Sequence, residues 1–151
     1  MRAVQISVIG SGSKWEAQAE EVGRLLAGRG CTVVTGGGAE VMAAAARGAK
    51  QAGGKTIGIL PGESPAEAGE WIDISVATGT GHARNLAVAA SGEAVIAVGG
   101  SWGTLSEIAF ARRLGRPTVV LDGGVVVEGE GIIRATTPKE AVELALAALE
   151  A

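Results

Sequence analysis

The chain has no tyrosine, one phenylalanine and three tryptophans, so aromatic residues make up 3% of its 151 positions. That leaves no platform on which successive bases could stack. A basic excess is also missing: 13 lysines and arginines stand against 16 aspartates and glutamates, a formal charge of −3. Without a cationic surface nothing tracks a phosphate backbone, and no nucleic-acid partner is expected. One histidine and one cysteine, with no paired carboxylate spacing, are too few to build a metal site. The lone cysteine, Cys31, opens the apolar run Cys31-Thr32-Val33-Val34. It cannot form an internal disulfide and reads as a small core residue suited to a reducing compartment. No apolar stretch approaches the ~20 residues needed to span a bilayer. The first residues pass into an alternating apolar segment without a leader pattern. A cytoplasmic protein with no membrane partner is therefore expected.

What the chain does have is glycine, 25 residues of it, and a hydrophobic fraction of 47%. Its length fits one domain, taken as residues 1–151. Short β-branched runs alternate with longer alanine-rich patterns. Strands are expected at Val4–Ile9, Thr32–Thr35, Thr56–Leu60, Ile72–Ala77, Ala94–Val98 and Thr118–Leu121. Helices are expected at Lys14–Ala27, Ala39–Gln51, His82–Ala90 and Thr104–Leu114. Val125–Ala135 is ambiguous and could hold two short strands around Gly129-Glu130-Gly131. A last helix carries a start signal: Thr137 as N-cap, Pro138 in first position and Glu140 completing a capping box. Strands alternating with helices predict an α/β fold, a doubly wound, Rossmann-like and mostly parallel sheet with helices on both faces.

In that register the glycine clusters follow strands. They are Gly10-Ser11-Gly12, Gly36-Gly37-Gly38, Gly79-Thr80-Gly81 and Gly99-Gly100-Ser101-Trp102-Gly103-Thr104. In an open parallel sheet such turns share the carboxyl edge, where ligands bind. Glycines there let backbone N–H groups approach a phosphate, and the following helix adds its positive end. The turns are therefore expected to bind a phosphorylated small molecule. Two familiar versions of such a site are excluded. A dinucleotide fingerprint needs glycine where Trp15 stands, and strand two ends in Val34-Thr35 rather than an acidic residue. A P-loop needs Gly-Lys-Ser/Thr, and no cluster contains lysine.

Two charged residues stand beside these turns. Glu107 lies three residues after Thr104, a spacing that also fits a capping box, yet it sits off the stripe of Leu105, Ile108 and Ala109. Arg84 lies at a helix start, where the helix dipole opposes a cation unless an anion or carboxylate compensates. His82, two residues earlier, reads as a helix-start or surface residue.

Taken together, Gly36-Gly37-Gly38, Val41-Met42, His82-x-Arg84 and Gly99-Gly100-x-x-Gly103-Thr104-x-x-Glu107 resemble the LOG ("Lonely Guy") family, also labelled lysine decarboxylase-like. The similarity runs from about Gly10 to Pro117. Within the superfamily, Gly103-Thr104-Leu105-Ser106-Glu107 and Ala83-Arg84-Asn85 look most like a small bacterial branch related to molybdenum-cofactor carrier proteins. The resemblance implies hydrolysis of nucleoside 5′-monophosphates to free base and ribose 5-phosphate, with Arg84 and Glu107 as the catalytic pair. It also implies that Gly10, Ser11, Gly12, Gly36, Gly37, Gly38, Gly99, Gly100, Ser101, Gly103 and Thr104 contact phosphate and ribose. A homodimer or higher homo-oligomer is implied too. No lysine context for pyridoxal phosphate is present, so neither decarboxylation nor a resident cofactor is expected. The chain departs from the family pattern at Val98 (usually proline), Ser106 (acidic) and Asn85 (lysine), and its triple-glycine segment is one residue shorter. Two functions stay open: a phosphoribohydrolase, and a non-catalytic carrier of a nucleotide or of the molybdenum cofactor.

Overall fold

The computed structural model describes residues 2–151. Seven strands form one sheet: β1 (Gln5–Ser11), β2 (Thr32–Thr35), β3 (Thr56–Leu60), β4 (Ile74–Ala77), β5 (Ala94–Gly99), β6 (Thr118–Leu121) and β7 (Ile132–Ala135). Their order is β4-β3-β2-β1-β5-β6-β7 and every pairing is parallel. The chain builds outward from β1 in one direction, then crosses to β5 and builds outward in the other. Strand order thus reverses between β1 and β5, and the fold is a doubly wound, Rossmann-like α/β sheet.

Helices α1 (Glu16–Gly28), α2 (Val41–Gln51) and α5 (Pro138–Glu150) cover one face; α3 (Arg84–Ser91) and α4 (Trp102–Arg113) cover the other. Because both faces are covered, the inner strands are apolar without alternation. All six residues of β5 are buried, with Ile96 and Val98 packed beneath the three-helix layer and Val95 and Ala97 beneath the two-helix layer. The edge strand β4 lacks such cover, and Ile74 stays 57% exposed.

Helix α1 crosses α2 at close range. A Cβ on Gly23 would overlap the carbonyl oxygen of Ala45, and one on Gly48 would overlap that of Glu20. The two glycines let the backbones meet, while Arg47 and Glu20 close the rim with an ion pair at 2.7 Å.

Several boundaries differ from expectation for local reasons. β1 runs two residues past Ile9, because Gly10, at φ +138, can pair tightly with Val98. β4 begins at Ile74 rather than Ile72, because the Asp73 carboxylate takes up the Thr56 N–H at 2.9 Å and the Lys50 ammonium at 2.8 Å. Between Val125 and Ala135 there is one strand, β7, and not two. In α5 the Thr137 hydroxyl accepts from the Glu140 N–H, while the Glu140 carboxylate accepts from the Thr136 N–H, one residue earlier than a capping box requires.

The helix crossing yields a stability test. Alanine is the better helix former by about 1 kcal/mol, but at Gly23 or Gly48 it meets backbone. Gly48→Ala is expected to lower the unfolding free energy by about 1–3 kcal/mol in urea titration, as overpacking does. Gly28→Ala, whose Cβ meets nothing within 4 Å, should leave stability unchanged or raise it.

Candidate functional site

The reversal of strand order opens a crevice, and a cleft of about 430 Å³ occupies it. Its floor is Gly10 and Ser11 at the end of β1, and one wall is the first two turns of α4, through Ser101, Gly103, Thr104 and Glu107. The opposite wall comes from Gly36, Met42 and Pro61, and the start of α3 closes the end with His82, Arg84 and Asn85. The Gly100 N–H donates to the Ser11 carbonyl at 3.0 Å, which fixes how far β1 and β5 diverge before α4 begins.

Eight of the predicted residues therefore meet around one space: Gly10, Ser11, Gly36, Arg84, Ser101, Gly103, Thr104 and Glu107. Five predicted glycines do not line it. Gly37 is packed against the Leu60 side chain, and Gly38 turns toward a neighbouring groove that includes Trp71. Gly100 backs onto Thr104. Gly12 and Gly99 make room for the Trp15 indole, which also rests on Gly123. Trp15 thus fills the position where the dinucleotide fingerprint has glycine, and wedges the space under the β5–α4 turn.

Helix α4 begins at Trp102, two residues before the expected start. Its first turn is held by Thr104, whose Oγ1 accepts the Ser101 N–H at 3.3 Å. Glu107 consequently falls in the second turn and is not a cap, which corrects the capping-box reading of its spacing. It is buried, with only 7% of its surface exposed. Burial pushes its carboxyl up to about 7, with the Arg84 guanidinium pulling the other way.

Arg84 starts α3 and lies across Gly36: a Cβ there would come within 2.9 Å of its guanidinium carbon. Glycine at position 36 thus gives the guanidinium its seat. Its Nη1 donates to Asn85 Oδ1 at 2.7 Å, while its Nε is buried without a protein partner among the described residues. Asn85 is buried as well, and its Nδ2 donates to Ser106 Oγ at 3.0 Å. In the sequence Asn85 and Ser106 are two separate departures from the family pattern. No spacing rule joins positions 21 apart, so their contact was not legible. Met42, Pro61 and His82 also line the cleft; of these, His82 had been read as a helix-start or surface residue.

Chemically, the cleft offers backbone turns, a helix N-terminus and one guanidinium to an anion. Beside them it offers a carboxyl that changes protonation near neutral pH.

Comparison with known proteins agrees with this architecture. The molybdenum cofactor binding protein from the phototrophic bacterium Rippkaea orientalis is similar along 99% of both chains, with a TM-score of 0.91 and 33% identity. The molybdenum cofactor carrier protein of Chlamydomonas reinhardtii is similar over 99% of both chains, with a TM-score of 0.84 and 32% identity. A probable cytokinin riboside 5′-monophosphate phosphoribohydrolase of Oryza sativa is 33% identical over 102 residues, 66% of this chain and 42% of that protein. Residues 3–148 match the model of the SLOG cluster4 family, and the chain belongs to that family, within the LOG-like superfamily related to molybdenum cofactor carrier proteins.

Proposed function

We propose that the cleft binds a phosphorylated, heterocyclic small molecule and holds it as cargo, the molybdenum cofactor being the ligand its full-length structural relatives name. The phosphate sits among Gly10, Ser11, Ser101, Gly103 and Thr104, with Arg84 supplying the cation. The observation that carries the reading is the likeness along nearly the whole chain to proteins that bind or carry that cofactor, and an easily neutralised Glu107 fits it. Cleavage of an N-glycosidic bond passes through an oxocarbenium-like state that an ionised carboxylate stabilises. A carboxyl raised to about 7 is half neutral at neutral pH. In its neutral form it donates a hydrogen bond to a ring acceptor instead.

The state of Glu107 also favours a second reading. A group poised near 7 is also suited to general acid–base work, and Glu107 with Arg84 matches the pair implied for a nucleoside-monophosphate phosphoribohydrolase. Self-association belongs to both readings. Helices α3 and α4 pack side by side, and Leu86, Trp102 and Phe110 on them, with Leu114 just after α4, are exposed apolar side chains that a second copy of the chain would cover.

Native mass spectrometry of gently purified protein separates holding from cleaving. The expected result is an intact phosphorylated ligand that survives prolonged incubation. Release of base and ribose 5-phosphate from any of a panel of nucleoside monophosphates would establish the hydrolase instead. The pH dependence gives an independent check. A bound state that uses neutral Glu107 loses affinity as pH rises from 6 to about 8, and Glu107→Gln should abolish that fall. If ionised Glu107 performs catalysis, turnover rises over the same window and the glutamine variant is inactive. For self-association, Phe110→Glu should reduce the mass seen by light scattering to that of one chain.

A further inference from the structure

The chain of hydrogen bonds linking α3 to α4 has a direction that its chemistry dictates. The Gly103 carbonyl can only accept, so the Ser106 hydroxyl donates to it, at 2.6 Å. The Ser106 oxygen then accepts from Asn85 Nδ2, at 3.0 Å. That fixes the orientation of the amide and turns Oδ1 toward Arg84, whose Nη1 donates to it at 2.7 Å. The two ends fix the direction of the series, because a backbone carbonyl can only accept and a guanidinium can only donate. The series starts at a backbone carbonyl on the cleft wall and ends at the one fixed cation of the cleft lining.

We propose that Asn85 is a positioning and specificity residue: it aims the Arg84 guanidinium with a neutral acceptor, leaving its charge for the anionic group of the ligand. This rests on the reading above that the cleft takes a phosphorylated molecule. A carboxylate at position 85 could hold Arg84 equally well in space. It would also neutralise the cation, and it would require a donor from Ser106, whose only proton is committed to Gly103. The amide provides the aim without the compensation. Its burial makes the distinction large, since a charge pair out of water is felt far more strongly than one in it. The cleft therefore distinguishes a phosphorylated ligand from its uncharged counterpart through a residue that need not touch either.

Two readouts test this, one with ligand and one without. AMP and adenosine serve as the charged and uncharged probes in calorimetric titration. Asn85→Asp is expected to reduce the preference for AMP over adenosine about tenfold or more, the equivalent of one charge contact. Ser106→Thr, which keeps the hydroxyl, should retain the preference. Without ligand, the midpoint of the Glu107 carboxyl is followed by carbon NMR; the other titratable groups lining its cleft are Arg84 and His82. Asn85→Asp should raise that midpoint, because Arg84 no longer favours the ionised form. Ser106→Ala should lower it, because the loosened guanidinium can turn to Glu107. An unchanged preference in a protein that binds AMP overturns the proposal, as does a midpoint that moves in neither variant. If Asn85→Asp does not fold, Ser106→Ala carries both measurements: its preference for AMP should fall because the guanidinium is no longer aimed, and an unchanged preference in it overturns the proposal. A wild-type protein that binds no phosphorylated ligand refutes the cargo reading alone, and the midpoints still decide the role of Asn85.

Discussion

The backbone approach of β1 to β5 at Gly10 governs the rest of the site. Gly10 pairs with Val98 and Ser11 with Gly99, and a Cβ at position 10 would overlap the Val98 carbonyl oxygen. The same Cβ would come within 3.2 Å of Val41, at the start of α2. One position without a side chain therefore sets the spacing of the central strands and the seat of a helix on the sheet. Once the strands are held together to this point, the Gly100 N–H reaches Ser11 and α4 must begin close behind it. The crevice follows from that geometry, since the chain leaves β1 and β5 in different directions where strand order reverses.

Burial then decides what the charged residues can be. Glu107 reaches the cleft from the second turn of α4, where little water remains to stabilise its ionised form. A directly paired arginine would restore that stabilisation, but the Arg84 bond goes to Asn85. The guanidinium acts on Glu107 only through space, and desolvation prevails over it, as the upward displacement of the carboxyl shows. A cation is kept available beside a carboxyl that is easily neutral. Such a cleft is more positive than a count of its residues implies, and that suits an anionic ligand.

Much of this was legible from sequence because it depends on local signals. All of the strands expected outright are present, and the glycine clusters do fall at strand ends, since periodicity and turn chemistry are read within a few residues. Parts that depend on distant neighbours were not legible. Thr104 and Glu107 have capping-box spacing, yet Ser101 starts the helix three residues earlier than that motif assumed, and the cap moved with it. Asp73 looked like part of a strand until Thr56 and Lys50 drew its carboxylate away. Gly23 and Gly48 stand inside helices, where glycine is unfavourable. Their reason lies in the opposite helix. Trp15 could be read as a missing glycine, but not as the wedge that Gly99 and Gly123 accommodate.

The departures at positions 85 and 106 become intelligible as one change once they are seen in contact. Taken separately, asparagine for lysine and serine for an acidic residue each look like the loss of a charge from the expected pattern. Taken together, they form a bonded link between α3 and α4, and relative to the expected pattern one positive and one negative group are absent at once. What changes is the local field. A lysine–carboxylate pair next to Arg84 would offer the guanidinium a competing anion, whereas an amide and a hydroxyl offer it only dipoles. The guanidinium is bonded to a neutral group and lines the cleft. Under the proposal that the cleft holds an anion, a single neutral amide acceptor is what separates aiming an arginine from merely placing one nearby.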